Sequence, residues 1–181
     1  PGSPPLPPGT AMAPFSPPPL PSPPTSLVYE FRFSNVRDPA TADGVALSAV
    51  HFFAADGTQL AVQEVQNPGW ASLNDNQHAG NLIDGQPTPY WLDGSIVSGG
   101  SCCGTTTLIF VMAADSSVAS YELVTGGPPY KRDPTAWEVG FRNAEGNFVV
   151  MSTVTAATPP EERFATYGIM HASLPPPSPP S

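Results

Sequence analysis

The chain has 181 residues, a formal net charge of −9 and 26 prolines, and only 12% of its residues are charged. Its six basic residues form no basic patch, which argues against nucleic acid, whose phosphates require Lys and Arg. No apolar run approaches the ~18 residues that a membrane span needs, so no membrane partner is expected. Apart from its Pro-rich ends the chain keeps about 150 residues, enough for one domain with a core.

Residues 1–25 form a Pro-rich arm that is interrupted only at 10–15. Proline fixes φ and removes the backbone N–H, so this arm is predicted to be an extended polyproline II rod rather than a helix or a central strand. At ~3.1 Å per residue it would reach about 70 Å, beyond the ~40 Å diameter expected of the domain. Because the sequence begins at Pro1 without Met or a signal peptide, we expect a processed or partial chain.

The apolar residues of this arm allow two interpretations. The simpler one is a disordered linker with incidental apolar residues. In the other, a neighbouring copy, the parent domain or a sheath of sugar holds the arm. The inter-subunit docking residues would then be Leu6, Met12, Phe15 and Leu20.

The first predicted strand runs over 27–36, where apolar and polar residues alternate. A second strand is predicted over 45–53, and an Asp-Gly hairpin signal at 56–57 precedes a third over 60–65. The first strand should point Leu27, Tyr29, Phe31 and Phe33 into the core and Glu30, Arg32 and Ser34 outward.

The segment 67–93 is predicted to be mostly loop and contains the best candidates for a ligand site. Loops at the tips of a sandwich carry binding residues, and exposed Trp stacks on sugar rings. The other interpretation is that Trp91 fills the end of the sandwich and Asp84-Gly85 only makes a turn. The carbohydrate-binding candidates are Trp70, His78, Asp84, Trp91 and Asp93.

The two cysteines, Cys102 and Cys103, are adjacent in a Gly-rich loop. Two thiols are too few for a structural zinc site, which needs four ligands. A disulfide between neighbours, interchain disulfides and free thiols all remain open. Redox catalysis is not expected, because the spacing of a Cys-x-x-Cys site is missing.

The stretch 105–155 predicts the middle of an antiparallel sheet. A short run at 108–112 is apolar on both faces, whereas 119–123 and 137–142 alternate in the manner of half-buried strands. A turn at 143–147 separates the last of these from a strand at 148–154. The fold class predicted is therefore all-β, an antiparallel β-sandwich, closed by the segment 163–174.

Three segments resemble one known family. They are Asn81-Leu82-Ile83-Asp84-Gly85-Gln86 followed by Trp91, the strand Tyr121-Glu122-Leu123-Val124-Thr125, and Arg132-Asp133-Pro134 followed by Trp137. In this order they are similar to the discoidin-like, galactose-binding-like domains of the coagulation factor 5/8 C-terminal type. Leu82 and the long gap before Trp91 depart from the family pattern.

The resemblance covers residues 27–174 and implies a jelly-roll, galactose-binding-like sandwich. Parts of that family hold a calcium ion in their loops, but this sequence has no Asp-x-Asp cluster that would identify such a site. We therefore expect no cofactor and no metal beyond a structural calcium. The domains expected are the arm at 1–25, the sandwich at 26–174 and a second Pro-rich segment at 175–181.

The Ser-Pro and Pro-Pro runs resemble the hydroxyproline-rich glycoproteins of the plant and green-algal extracellular matrix. The resemblance implies hydroxylated prolines with covalent glycans and an extracellular location, whereas the simpler interpretation is an unmodified linker. N-linked glycan is not expected, because no Asn-x-Ser/Thr sequon occurs. The candidate modification sites are Pro4, Pro5, Pro7, Pro8, Pro17, Pro18, Pro19, Pro21, Ser22, Pro23, Pro24, Pro175, Pro176, Pro177, Ser178, Pro179 and Pro180.

Catalytic signals are absent from the sequence. His51 and His171 fall in predicted strands, and His78 falls in a loop without a nucleophile motif. Gly-x-Ser-x-Gly, His-Glu-x-x-His and phosphate-loop patterns are all missing. We expect no enzyme and no catalytic residue.

Two functions are compatible with these features. The first is an extracellular structural glycoprotein whose copies assemble head-to-tail into a fibre or matrix, with the Pro-rich arm contacting the next subunit, since a heterologous contact that does not close gives filaments. An exposed sheet edge could accept the segment between the prolines. The alternative is a carbohydrate-binding module tethered by Pro-rich linkers. Fold alone does not choose between them.

Overall fold

The computed structural model describes residues 26–71, 73–98 and 101–172. Over these residues the chain is an all-β protein of two antiparallel sheets, which confirms the predicted β-sandwich. The helical residues that it describes form short 3-10 turns at Ala79–Leu82, Gly94–Ile96 and Tyr130–Arg132. The Pro-rich segments lie outside the described residues, so the predictions made for them stay predictions.

Sheet A is the larger continuous sheet, with strand order β11–β10–β1–β8–β4. Its central strand β1 pairs on one side with β10 and on the other with β8. The bounds are Ser26–Val36 for β1, Val62–Gln66 for β4, Thr106–Ser116 for β8, Pro134–Arg142 for β10 and Phe148–Val154 for β11.

Sheet B has the order β12–β9–β2–β3, and β5 pairs with the other end of β2. A separate two-stranded sheet joins β6 and β7. The bounds are Val45–Phe53 for β2, Gln59–Leu60 for β3, Trp91–Asp93 for β5, Val97–Ser98 for β6, Ser101–Cys102 for β7, Ser120–Thr125 for β9 and Met170–His171 for β12.

Aromatic side chains from the two sheets fill the core between them. Phe31 of sheet A meets Tyr121 of sheet B edge-on, with ring centroids 5.2 Å apart, and Phe110 meets Phe52 in the same way at 5.1 Å. Each of these rings is fully buried. Such pairs add about 0.5–1.5 kcal/mol beyond the burial of their area, so they fix how the sheets face each other.

The strand predicted over 60–65 is instead two short strands in different sheets. β3 pairs with β2 in sheet B, whereas β4 pairs with β8 in sheet A. Ala61 lies between them, and its carbonyl accepts a hydrogen bond from Ala113 N at 3.0 Å. The chain therefore crosses from one layer to the other at this residue, which alternation of residue types does not reveal. In the segment predicted to close the sandwich at 163–174, the described residues 163–172 form β12 and one bridge, between Thr166 and Val124.

Both boundaries of the described body lie at one end of the sandwich. Ser26 pairs with Ser116 at the start of β1, and Ala172 N donates a hydrogen bond to Ala119 O at 2.9 Å. We call this end, beside the turn 116–120, the tail end. Both Pro-rich segments of the sequence therefore connect to the sandwich here.

The opposite end, which we call the head end, holds the last residues of β1. Val36 pairs with Pro134, and Arg37 N donates to Asp133 O at 2.8 Å. At ~3.3 Å per residue, β1 alone separates the two ends by about 33 Å.

Candidate functional site

A groove of about 930 Å³ lies on the outer face of sheet A, away from the core. Side chains of β1, β8 and the neighbouring strands β10 and β11 line it, so it brings together segments that are distant in sequence. The lining is half polar in character, with hydroxyl, amide, carboxylate and guanidinium groups. Its polar residues include Glu30, Arg32, Ser34, Asn35, Thr105, Thr107, Glu138, Arg142 and Thr153.

Glu30 lies at the centre of the charged part of this groove. Its side chain is only 1% exposed, although it points away from the core. One carboxylate oxygen accepts from Arg32 Nε at 2.7 Å, and the other accepts from Arg142 Nε at 2.9 Å and lies 2.6 Å from Arg142 Nη2. Glu30 points outward, as its place in the alternating strand predicts, and it is nevertheless buried because two arginines cover it.

Gly140 pairs with Glu30 across β1 and β10, beside the groove. A side chain at this position would collide with Val149 O and come within 2.7 Å of the Phe148 ring. The glycine therefore lets Phe148 lie close to β10. Arg32 stacks on this ring, with its guanidinium carbon 3.8 Å from the centroid, which holds Arg32 between an aromatic face and a carboxylate.

The charges that line the groove cancel. Glu30 and Glu138 are balanced by Arg32 and Arg142, whereas the whole chain carries −9. The two arginines remain 36% and 41% exposed, so they can still donate hydrogen bonds to a ligand. A neutral ligand with many hydroxyl groups matches such a surface better than a strongly charged one, because it leaves the existing ion pairs intact.

Two of the five loop candidates are core residues. Trp91 is fully buried, packs 5.9 Å from Phe33 and donates from Nε1 to Asn67 Oδ1 at 2.8 Å. Asp93 is also fully buried and accepts from Asn67 Nδ2 at 3.0 Å and from Ala71 N at 3.0 Å. Neither side chain presents a surface to a sugar, and both tie the loop to the sandwich.

The other three candidates lie apart from any such cluster. Trp70 is half-buried and donates from its ring nitrogen to Leu92 O at 2.9 Å. Asp84 is exposed and accepts from Gln86 N at 2.7 Å, which makes it a turn residue. His78 is exposed and precedes the 3-10 turn at Ala79–Leu82.

A second arginine–carboxylate cluster lies at the head end around Asp133, which is 1% exposed. Arg163 contacts both carboxylate oxygens, at 2.6 and 2.8 Å, and Arg37 lies 3.1 Å from one of them. Both arginines also donate to backbone carbonyls: Arg37 to Pro159 O at 2.8 Å, and each of them to Pro160 O. This cluster holds the connector 158–161 against the sandwich.

Cys103 is disulfide-bonded, and the sequence contains one other cysteine, Cys102. The Cys103 sulfur lies 3.4 Å from Asn35 Oδ1 at the rim of the groove. The described residues include no group of three His, Cys, Asp or Glu side chains that could hold a metal ion. Nor do they include a helix that is long and apolar enough to cross a membrane.

Comparisons of this chain with protein-family models, with curated proteins and with solved structures found no match.

Proposed function

We propose that this chain is a non-catalytic structural subunit of an extracellular glycoprotein, and that its copies assemble head-to-tail into a fibre or matrix. The observation that carries the proposal is that Pro- and Ser-rich segments flank a β-sandwich and both join it at the tail end. If the arm is the polyproline II rod that its sequence predicts, it would extend from this end toward the next copy. Such a contact is heterologous and does not close, so it gives an open assembly.

The proposal includes covalent glycan on the proline-rich segments. Residues 17–24 and 175–180 hold the Ser-Pro and Pro-Pro runs on which it rests. A glycan sheath would keep the assembled fibre hydrated without needing charged residues, which these segments lack. Intact-mass measurement of the native chain should exceed the mass of the bare sequence, and an equal mass would reject this part.

The proposal also keeps the finer fold assignment, a discoidin-like, galactose-binding-like sandwich. In its favour, Trp91 and Trp137 both lie in the core, as residues that define the fold would. Asp84 and Gly85 make a turn in which Gly85 has φ of +74°, a conformation that favours glycine. The Asp133-Pro134 step leads into β10.

Removal of residues 1–24 tests the assembly. The full chain should form extended particles in electron micrographs and scatter light as a polymer, whereas the shortened chain should be a soluble monomer with an unchanged circular dichroism spectrum. Fibres formed equally well by the shortened chain would reject the mechanism.

A second candidate function, carbohydrate binding, is favoured by the charge-balanced groove of sheet A. The groove offers guanidinium and hydroxyl groups to a neutral oligosaccharide, and its volume lies within the ~300–1,000 Å³ range of ligand sites. A glycan array probed with the wild-type chain and with Arg142→Ala tests this. Arg132→Ala is the control, because Arg132 pairs with Asp43 outside the groove.

Binding that Arg142→Ala weakens and Arg132→Ala leaves intact would support the groove. Absence of binding, or equal loss in both variants, would reject it. Substitution of Trp91 is not a useful test, since that residue is in the core and its loss would unfold the loop.

A further inference from the structure

We propose that the head end binds a proline-rich segment of a second copy of this chain. The contact would be made by Tyr90, Pro128, Pro129, Tyr130 and Phe164, which we call the tyrosine–proline surface. This inference rests on the proposed head-to-tail assembly and names the surface that receives the neighbour's arm.

Two aromatic residues of this surface are unusually exposed. Tyr130 is 50% exposed and Phe164 is 39% exposed, although both are large and apolar. The Arg163 guanidinium stacks 4.3 Å from the Tyr130 ring, and Phe164 is the next residue in the chain. Phe164 has φ of +58°, a strained conformation for a bulky residue that the fold nevertheless maintains.

Tyr90 extends this surface toward the prolines. Its hydroxyl donates to Pro128 O at 3.2 Å, and its ring lies so close to Gly127 that any side chain there would collide with it. Pro128 and Pro129 are both exposed. Tyr90 therefore lies against the segment that leads through Pro128 and Pro129 to Tyr130.

Exposed aromatic rings suit polyproline II segments. Such a segment presents pyrrolidine rings for apolar contact and carbonyl oxygens without intrachain partners, which accept hydrogen bonds. The head end already binds a Pro-Pro pair in this manner, because Arg37 Nη2 donates to Pro159 O at 2.8 Å and to Pro160 O at 2.7 Å. An open pocket of about 310 Å³ lined by Arg37, Tyr130 and Glu161 lies beside them.

The occupant that we propose is a second copy of this chain. Both Pro-rich segments join the sandwich at the tail end, about 33 Å from the head end along β1. The arm is predicted from its sequence to be a stiff polyproline II rod, and such a rod would have to reverse its direction to reach its own head end. Residues 6–16 hold three of the four predicted docking residues and no charged side chain, so docking on the rings would desolvate no charge.

The test uses a synthetic peptide with the sequence of residues 6–16, titrated into the isotope-labelled full chain. Amide shift changes should concentrate at residues 126–132 and 160–166, and Tyr130→Ala should weaken peptide binding by about tenfold. Tyr130→Phe should bind within about twofold of wild type, because it keeps the ring. Ile169→Ala is the matched control, since Ile169 is 62% exposed but lies beside β12 at the edge of sheet B.

Shift changes at the groove of sheet A, or equal binding by Tyr130→Ala and wild type, would overturn the inference. Assembly assays distinguish the failure of this inference from the failure of the proposed function. If removal of residues 1–24 abolishes polymers but Tyr130→Ala does not, the arm docks elsewhere and only this inference fails. If the shortened chain still polymerises while the peptide binds at Tyr130, the surface stands and the assembly mechanism fails.

Discussion

Two clusters in this sandwich have nearly the same composition, one buried carboxylate, two arginines and one aromatic ring. The groove cluster is Glu30 with Arg32, Arg142 and Phe148; the head-end cluster is Asp133 with Arg37, Arg163 and Tyr130. Both carboxylates are 1% exposed. The two clusters differ in the other groups that their arginines contact.

At the head end the terminal guanidinium nitrogens are held by the chain itself, whereas the buried Nε atoms of Arg37 and Arg163 have no hydrogen-bond partner. Arg37 and Arg163 donate to carbonyls of Pro159 and Pro160 and are 27% and 12% exposed, so the cluster fastens one segment to another. In the groove Arg142 also donates to one backbone carbonyl, Gly146 O at 3.0 Å, but both arginines are more exposed and their neighbours line an open space. Clusters of the same composition can therefore have different roles. The head-end cluster fastens one segment of the chain to another, whereas the groove cluster leaves guanidinium N–H groups available to a ligand.

Replacement of the two carboxylates should give the largest difference in the free energy of unfolding between the two clusters. Asp133→Asn should lower the free energy of unfolding by about 3–5 kcal/mol, because it leaves two largely buried guanidinium groups without their counter-charge. Glu30→Gln should cost about 1–3 kcal/mol, since Arg32 and Arg142 can turn toward water. Urea unfolding followed by fluorescence measures both. A cost for Glu30→Gln equal to that for Asp133→Asn would contradict the distinction.

Gly140→Ala should destabilise the protein next most strongly, by about 1–3 kcal/mol, because the new methyl group meets Val149 O and the Phe148 ring. Gly104→Ala is the control, since its nearest atoms would be 3.6 Å away, an ordinary contact, and a change within about 0.5 kcal/mol is expected. Thermal unfolding of both variants gives the comparison, and a neutral Gly140→Ala would show that β11 shifts freely.

Truncation of the two aromatic rings should have smaller and unequal effects. Phe148→Ala should cost about 1–2 kcal/mol, because the half-buried ring packs over Gly140 and supports Arg32. Tyr130→Ala should cost less than about 1 kcal/mol, since half of Tyr130 is already in water. Chemical unfolding of the pair decides this, and a larger loss for Tyr130→Ala would mean that its ring is structural rather than available for binding.

The smallest expected effect concerns an exposed ion pair at the head end. Hydrogen bonds from Arg132 lower the pKa of Asp43 to about 2. Since the folded pKa lies below the unfolded value, the pair stabilises the protein above about pH 4, and this contribution is lost as pH falls toward 2. Asp43 is 46% exposed, so solvent screening limits the contribution to less than about 1 kcal/mol.

Asp43→Asn should therefore flatten the stability profile slightly between pH 4 and 2, as measured by urea unfolding at each pH. Added salt at 1 M should shrink the difference between the variant and the wild type, because it screens exposed charges. An unchanged profile would mean that Arg132 loses as much hydration as it gains from the pair.

Local sequence patterns were enough to predict the strands in which apolar and polar residues alternate clearly. β2 was predicted with the bounds observed, and β1 within one residue, because aromatic and polar residues alternate along both strands. The layer change at Ala61 was missed, since alternation indicates a strand but not the sheet to which it belongs.

The candidate site could not be predicted from the sequence for a related reason. Glu30 and Arg142 are 112 positions apart, and only the pairing of β1 with β10 brings them together. The tryptophans drew attention to the loops, yet Trp91 proved to be core. The one local signal was Gly140, a glycine within an alternating strand, which often marks a close approach of another group.

The common exit of both chain ends has a mechanical consequence. Tension applied through Ser26 and Ala172 acts across the width of one end, since both residues lie beside the turn 116–120. This force does not act along the length of the strands, so the sandwich would lie to one side of the stretched chain. A strong pull would peel β1 and β12 open one hydrogen bond after another, at far lower load than sliding whole strands past each other.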